Sequence, residues 1–431
     1  MNTETTGRSL GRQARLGTGV FWLGLTLLSI LAGSSTIAAA ASGRSAPIFW
    51  VELWVLIAYP LHLLTARRGR LPRLGWFWVV AAVSIAWEAS GLIPSADPVR
   101  GLRVLAIHVI GLLVYIFVVS VSLSPRGAEV LTRMLVLAPV VLLAFSLPSL
   151  LGAGGLQEAI SSRAIETALG RSNALATPFS IFGVLCMGVW VNVPRMRRSA
   201  TIGGLSATLG LALTGSRAGF LATAIGLAAL LLWVARERGV RKSALAAVAI
   251  LALIMAVRET GVTRALEARL VSIEQPERVE ESSVQNVFIR LDYWRVAWGM
   301  FVDQPVRGEG LGSFGDFYRQ SGAFDLDEER QTDPHNQLLL LLAETGVVGL
   351  TLTSLLLRDM LTRAWPRRDA EGRWAKASIL VAVLAALMHS LAEPVFRNPA
   401  SVGLVALLLG LASNGTFCGS VPGAAPKTPD A

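Results

Sequence analysis

Apolar residues in this chain fall in long, nearly unbroken runs rather than in the strict alternation of a half-buried strand. Taken in order, the runs predict twelve helices, near 18–40, 47–65, 75–93, 104–123, 132–151, 174–193, 200–214, 218–235, 243–257, 335–357, 374–393 and 399–415. Most approach the ~20 residues that carry a helix across a bilayer. The first run is too long, and too plainly followed by further spans, for a cleaved signal peptide. One polar stretch, 258–334, interrupts the series. The pattern therefore divides the chain into a membrane part at 1–257 holding helices one to nine, a large loop at 258–334, a second membrane part at 335–415 and a tail at 416–431. Inside the loop, Val287, Leu291, Trp294, Trp298 and Phe301 recur at three- and four-residue spacing, which predicts an amphipathic helix. No internal repeat stands out, which weakens a transporter built from inverted halves.

Composition agrees with the pattern. Of 431 residues, 53% are hydrophobic and only 16% charged, against roughly 25% charged in soluble domains. Disorder, collagen, coiled coil and a disulfide scaffold are excluded. The net charge of +10 does not point to nucleic acid, because membrane proteins gather Lys and Arg in their cytoplasmic loops. With the N-terminus inside, the inner segments hold 23 Lys and Arg and the short outer segments 7. Both termini are then cytoplasmic and the large loop lies outside. That loop carries 9 Arg and 15 Asp or Glu in 77 residues. Cys186 and Cys418 read as structural.

There is no Walker A loop, dinucleotide fingerprint, zinc-ligand spacing or Gly-x-Ser-x-Gly elbow, so the sequence implies no cofactor and no metal. What remains is a set of basic residues and a histidine at the outer membrane face. Arg217, in TGSRAGF, joins two apolar runs with almost no loop. At the start of a helix its guanidinium and the free amides beside it suit an anion; the plainer reading is a snorkelling anchor. Arg290, in FIRLDYWRVAWGMF, lies beside the amphipathic stripe, where a surface pair with Asp292 is the alternative. His335, in TDPHNQLLLLLAETGVVGL, follows Asp333 as candidate N-cap and Pro334 as first helical residue. A neutral imidazole in that first turn can take a proton near pH 7; it can also simply cap or pack. His108 and His389 compete with it, and His62 lies near the inner side. Arg residues bind phosphate through a planar donor fork, so the outer ones suit a lipid-linked phosphate or diphosphate, or ordinary lipid headgroups. Glu52, Glu88, Glu344 and Glu393 fall inside predicted spans, where charge is costly. Glu344 reads as a partner for an Arg or as a mark of a backbone break. Tyr293, Trp294, Trp298 and Tyr318 have rings able to stack on sugars, with core packing the stronger expectation for the two Trp on the stripe.

At these residues the sequence resembles the O-antigen ligase and polymerase family of bacterial membrane glycosyltransferases. The likeness rests on TGSRAGF, RLDYWRVAWGMFVDQPVRGEGLGSF and DPHNQLLLLLAETGVVGL, in that order, and on many helices with one large outer loop before a late helix. LGRSNALATPFSIFG at 169–183 resembles the family's Arg- and Asn-containing helix entry but lacks the usual Asn-Pro-Asn. The resemblance implies an all-α integral membrane protein of glycosyltransferase C-type fold in the bacterial inner membrane, with its site facing the periplasm. It further implies a metal-independent enzyme that takes a glycan from undecaprenyl diphosphate and passes it to lipid A–core oligosaccharide, or to another lipid-linked repeat in a polymerase. A lipid-linked oligosaccharide transporter is the alternative outside the enzyme class. By motif, Arg217 and Arg290 would bind diphosphate, with Arg171 and Arg163 beside them, and His335 would activate the acceptor hydroxyl.

Overall fold

A computed structural model describes residues 19–31, 34–38, 45–65, 74–152, 172–238, 281–321, 333–367 and 372–420. The predicted helix at 243–257 and much of the large loop lie outside them. The described chain is that of an all-α membrane protein with one small hairpin. In order it runs α1 (Gly19–Leu31), β1 (Ser34–Ala38), β2 (Ser45–Phe49), α2 (Trp50–Thr65), α3 (Trp76–Ser90), α4 (Pro98–Ser120), α5 (Pro125–Gly152), α6 (Ser172–Asn192), α7 (Arg197–Thr214) and α8 (Arg217–Arg238). It continues with α9 (Glu281–Asp303), α10 (Phe314–Gln320), α11 (Gln337–Ala364), α12 (Arg373–His389), α13 (Pro399–Ser413) and α14 (Gly415–Ser420).

Two expectations change at the start of the chain. The first predicted helix stops at Leu31, and residues 34–38 pair antiparallel with 45–49, Ser34 opposite Phe49 and Ala38 opposite Ser45. Ser34, Ser35 and Thr36 are poorer helix formers than the Leu-rich run before them. The number of spans also changes. Among the described residues α4, α5, α6, α8 and α11 are long and apolar enough to cross a membrane, whereas α1, α2, α3 and α13 are apolar but shorter. The described residues thus support five spans, against twelve apolar runs in the sequence. At the other end, the expected tail from 416 is partly helix: α14 reaches Ser420 and buries Phe417.

Helix ends follow local chemistry. Asp97 caps α4 by accepting the Arg100 N–H (3.0 Å), with Pro98 at the first helical position. Asn398 caps α13 in the same way through the amides of Ala400 and Ser401. Gly215, in the left-handed region at φ 60°, ends α7. Helix α13 is apolar all round and buried from Pro399 to Ala412, as a central helix must be. It packs on α4, while α6 packs on α7 and α12, and α11 on α3 and α9. Small residues and hydroxyls close the contacts where apolar solvent gives no driving force. Ser180 Oγ donates to the Gly219 carbonyl and Thr223 Oγ1 to Ser180.

Helix α11 is broken. Gly346 has φ 65° and ψ −171° inside it, and the 304–313 loop docks on the break. The N–H groups of Glu309 and Gly310 donate to the carbonyls of Ala343 (2.9 Å) and Glu344 (3.1 Å), and the Val347 N–H donates to Pro305 O (2.9 Å). On its far side the same loop ties to the α3–α4 turn, where Leu311 N–H donates to Gly91 O and Ser95 Oγ to Leu311 O. Backbone that leaves a helix in a membrane must be satisfied by protein, and this loop does it. A side chain at 346 would meet Val306 O and adopt a left-handed backbone. Gly346→Ala should therefore lower stability by about 1–3 kcal/mol or more, read as a lower midpoint of thermal unfolding in detergent. An unchanged midpoint would show that the break bears no strain.

Candidate functional site

One end of the helix bundle gathers the start of α11, the end of α12 and the start of α13. His335 stands just before α11, not in its first turn as the sequence predicts. Asn336 is the N-cap, accepting the Leu339 N–H (3.1 Å). Asp333 instead accepts the N–H of His335 itself (3.0 Å), closing a tight turn in which His335 takes φ 50°. A non-glycine residue held at positive φ is uncommon and concentrates at functional sites.

The turn is zipped to the segment after α12. Gln337 N–H donates to Ser390 O (2.9 Å), and Phe396 N–H donates to Gln337 Oε1 (3.2 Å). Between these contacts His335 Nδ1 lies 3.0 Å from Glu393 Oε2 and 3.8 Å from Asp333 Oδ1. A carboxylate only accepts, so in the neutral imidazole Nδ1 carries the hydrogen and Nε2 keeps the lone pair. Burial pushes the His335 pKa down. The hydrogen bond and charge of Glu393, with the charge of Asp333, outweigh burial against the opposing Arg290, so the net shift is upward from the ordinary value. Burial, and then the charge of Glu393, raise the Asp333 carboxyl against the lowering pull of His335 and Arg397.

Arg290, half-buried on α9, donates from Nη1 to the Ala392 carbonyl (3.3 Å), one residue from Glu393. Trp294, a turn later, donates from Nε1 to Pro334 O (3.0 Å), one residue from His335. The structure thus brings Arg290 and His335 together from motifs far apart in sequence. Arg217 is the first residue of α8 and is exposed, with Ser216 Oγ accepting the Gly219 N–H (3.2 Å). Its helix start packs on α6, whose Thr177 hydroxyl meets His389 Nδ1 at 2.7 Å. The Glu393 N–H in turn donates to His389 O, so Arg217 shares this end of the bundle. Arg163 and Arg171 lie outside the described residues.

The competing histidines have other partners. His389 is buried at 1% exposure against Thr177, His108 pairs with Glu88 (2.8 Å), and His62 lies edge-on to Phe117. Glu393 is not inside a span, because α12 stops at His389. Its pairing with His335 had no signal in the sequence. Glu344 has both features expected of it, the Gly346 break two residues on and an ion pair with Arg397, and it also accepts the Phe314 N–H (3.3 Å).

The stripe on α9 is corrected. Tyr293, Ala297 and Met300 face the core with Phe314 and Tyr318, whereas Trp298 is 53% and Trp294 36% exposed. Two apolar stripes run side by side on this helix, and the one of lower hydropathy is the one that α10 and α11 cover.

The apolar spans with a charged cluster at one end define the class as an all-α membrane protein with a built polar site. The model of the O-antigen ligase family matches residues 202–354 and supports that family for this chain, pointing to a membrane glycosyltransferase-like enzyme of ligase or polymerase type. The match spans Arg217, Arg290 and His335 but not Glu393 or Arg397. No curated protein matches the chain.

Glu344 is 1% and Arg397 16% exposed, so removing one partner strands the other. Arg397→Met should cost about 3–5 kcal/mol, seen as loss of monodisperse protein in size exclusion. The double variant Glu344→Met, Arg397→Met should recover much of it; equal loss in both would place the defect elsewhere.

Proposed function

We propose that the chain is an O-antigen ligase of the inner membrane that moves a glycan from undecaprenyl diphosphate to a hydroxyl of lipid A–core oligosaccharide. The observation that carries this reading is the His335–Glu393 pair with Arg290 beside it, at the end of a bundle in which five of the described helices have the length and hydropathy to span a membrane. The twelve-span, glycosyltransferase C-type architecture belongs to the same proposal, as does the division into 1–257, 258–334, 335–415 and 416–431. So does the orientation. Arg126, Arg133, Arg195, Arg197, Arg236 and Arg363 sit at or near helix ends away from His335, and the bias of Lys and Arg to the cytoplasm supports a periplasmic side for His335.

The chemistry needs no nucleotide and no metal. The acceptor oxygen attacks the anomeric carbon from the side opposite the diphosphate, and the bond to the diphosphate oxygen breaks with inversion. The hydroxyl proton goes to His335 Nε2 while Glu393 holds Nδ1–H and steadies the imidazolium that forms. Arg290 and Arg217, with Arg171 and Arg163, meet the charge that grows on the departing diphosphate, where preorganised donors act most strongly. Arg217 has no carboxylate partner among the described residues and sits at a helix N-terminus, which favours an anion there. The exposed Trp294 and Trp298 follow Arg290 on one face of α9 at four-residue steps and suit the apolar face of an acceptor sugar.

His335→Ala should insert and fold yet lose roughly 10²–10⁴-fold in glycan transfer, with Arg217→Ala and Arg290→Ala also severely impaired. A His335→Ala protein transferring at the full rate would remove the base. The base works only when neutral, and its pKa is raised, so kcat/KM should fall as pH drops through a value above the ordinary 6.5. Glu393→Gln removes the nearer of the two carboxylate charges that raise it and leaves Asp333, so the acid limb should move to lower pH while the maximum rate declines. Trp294→Ala should raise the acceptor KM more than the donor KM; the reverse would assign this face to the donor.

A further inference from the structure

The site residues ride on two halves of the bundle, each tied within itself. On one half the turn after α12 is bound to α11. Gln337 N–H donates to Ser390 O (2.9 Å), Phe396 N–H donates to Gln337 Oε1 (3.2 Å), and Arg397 pairs with Glu344. That half carries His335 and Glu393, with Arg290 on the Ala392 carbonyl. On the other half α8 is bound to α6. Ser180 Oγ donates to Gly219 O (3.1 Å), Thr223 Oγ1 donates to Ser180 Oγ (2.7 Å), and a side chain at Gly219 would press on Ala176. That half carries Arg217, two residues before Gly219.

Between the halves α12 lies on α6 and α8 through small residues, with Gly188 facing Ser378 and Gly226 facing Ala385. Small residues bring the backbones close, but their flat surfaces do little to resist a shift along the axis. A buried polar contact does resist it, because a slip would leave both partners unsatisfied. Thr177 Oγ1 and His389 Nδ1 make such a contact at 2.7 Å, each residue 1% exposed. Thr177 adjoins Ala176, where α8 presses closest, and the carbonyl of His389 accepts the N–H groups of Ala392 and Glu393. Two features separate this contact from plain packing. His389 Nε2 is enclosed and has no hydrogen-bond partner among the described residues, a cost that an apolar ring would not carry. Thr177 also precedes Pro178, which has no amide to bond back one turn, so the outer end of α6 lacks one of its own hydrogen bonds.

We propose that the Thr177–His389 contact fixes the register of the two halves, and that His389 is a positioning residue setting the distance from His335 and Arg290 to Arg217. This rests on the reading of His335 as base and of the two Arg as diphosphate ligands, and adds what holds them at working distance. The acceptor oxygen is held on one half, while the departing diphosphate is gripped from both. A slip of α12 along α6 therefore lengthens the attack and pulls the guanidinium groups apart. The acceptor contacts stay whole, because they lie on one half.

Spin-label distance measurement on the full protein in phospholipid nanodiscs reads the register without reference to transfer. The labels go on Leu221→Cys of α8 and Leu391→Cys of the turn, both exposed positions, in a Cys418→Ser background with Cys186 buried. This parent should give one narrow distance distribution. Thr177→Val removes the hydroxyl at nearly constant volume and His389→Phe keeps a ring in place; each should broaden or shift the distribution, whereas Thr177→Ser should preserve it. In the first two variants kcat should fall on the order of 10- to 100-fold, with the acceptor KM within about twofold. Thr177→Ser should keep both values within about twofold of the parent. The groups that set the His335 pKa, Glu393, Asp333 and Arg290, all stay with one half, so the acid limb of the rate should not move. A distribution unchanged in both Thr177→Val and His389→Phe would overturn the proposal. So would a changed distribution with kcat intact, or an acid limb that shifts as it does in Glu393→Gln. If the distribution responds as described but the parent transfers no glycan, the register contact stands and the transferase reading falls.

Discussion

The site depends on one buried ion pair. Glu344 sits in α11 two residues before the Gly346 break, and its carboxylate meets Arg397 on one side and the Phe314 amide on the other. Three segments distant in sequence are joined at that carboxylate. The 304–313 loop can lie on the broken helix only because the break exposes carbonyls for it, and α10 starts where that loop ends. Arg397 closes the short turn after α12, which also carries Ala392 and Glu393. Held from both ends, that turn brings Glu393 against His335 and offers Ala392 O to Arg290. A charge buried among helices is costly unless paired, so the arrangement depends on Glu344 and Arg397 meeting.

The histidine gains its chemistry from that frame. An isolated imidazole at the surface would titrate near its ordinary value and turn freely. Here an Asx-type turn fixes the backbone at a positive φ, Glu393 takes Nδ1, and Arg290 limits how far two carboxylates can raise the pKa. The result is an imidazole held in one orientation by Glu393, with the Arg290 guanidinium nearby on the Ala392 carbonyl.

Much of the frame was legible in the sequence, because length and hydropathy alone decide which runs must be helices in lipid. Arg217 as a first helical residue and Glu344 as an Arg partner beside a break both followed from local rules. The His335–Glu393 pair did not, since nothing local links residues 58 positions apart and the predicted span 374–393 absorbed the glutamate. Capping at Asn336 rather than Asp333 was likewise hidden, because both residue types cap equally well and only the tertiary fold commits Asp333 to the His335 amide. On α9, hydropathy favoured the Trp-bearing stripe, while packing chose Tyr293, Ala297 and Met300, whose shapes fit α10 and α11.

Reconstituted transfer decides whether His335 drives a direct displacement. Purified protein in vesicles, with an undecaprenyl-diphosphate glycan, lipid A–core and a chelator in place of metal, should place the glycan on lipid A–core with inverted anomeric configuration. Lengthened lipid-linked chains with the acceptor untouched would make the protein a polymerase, and transfer that stops in the chelator or retains configuration would contradict a histidine-driven direct displacement.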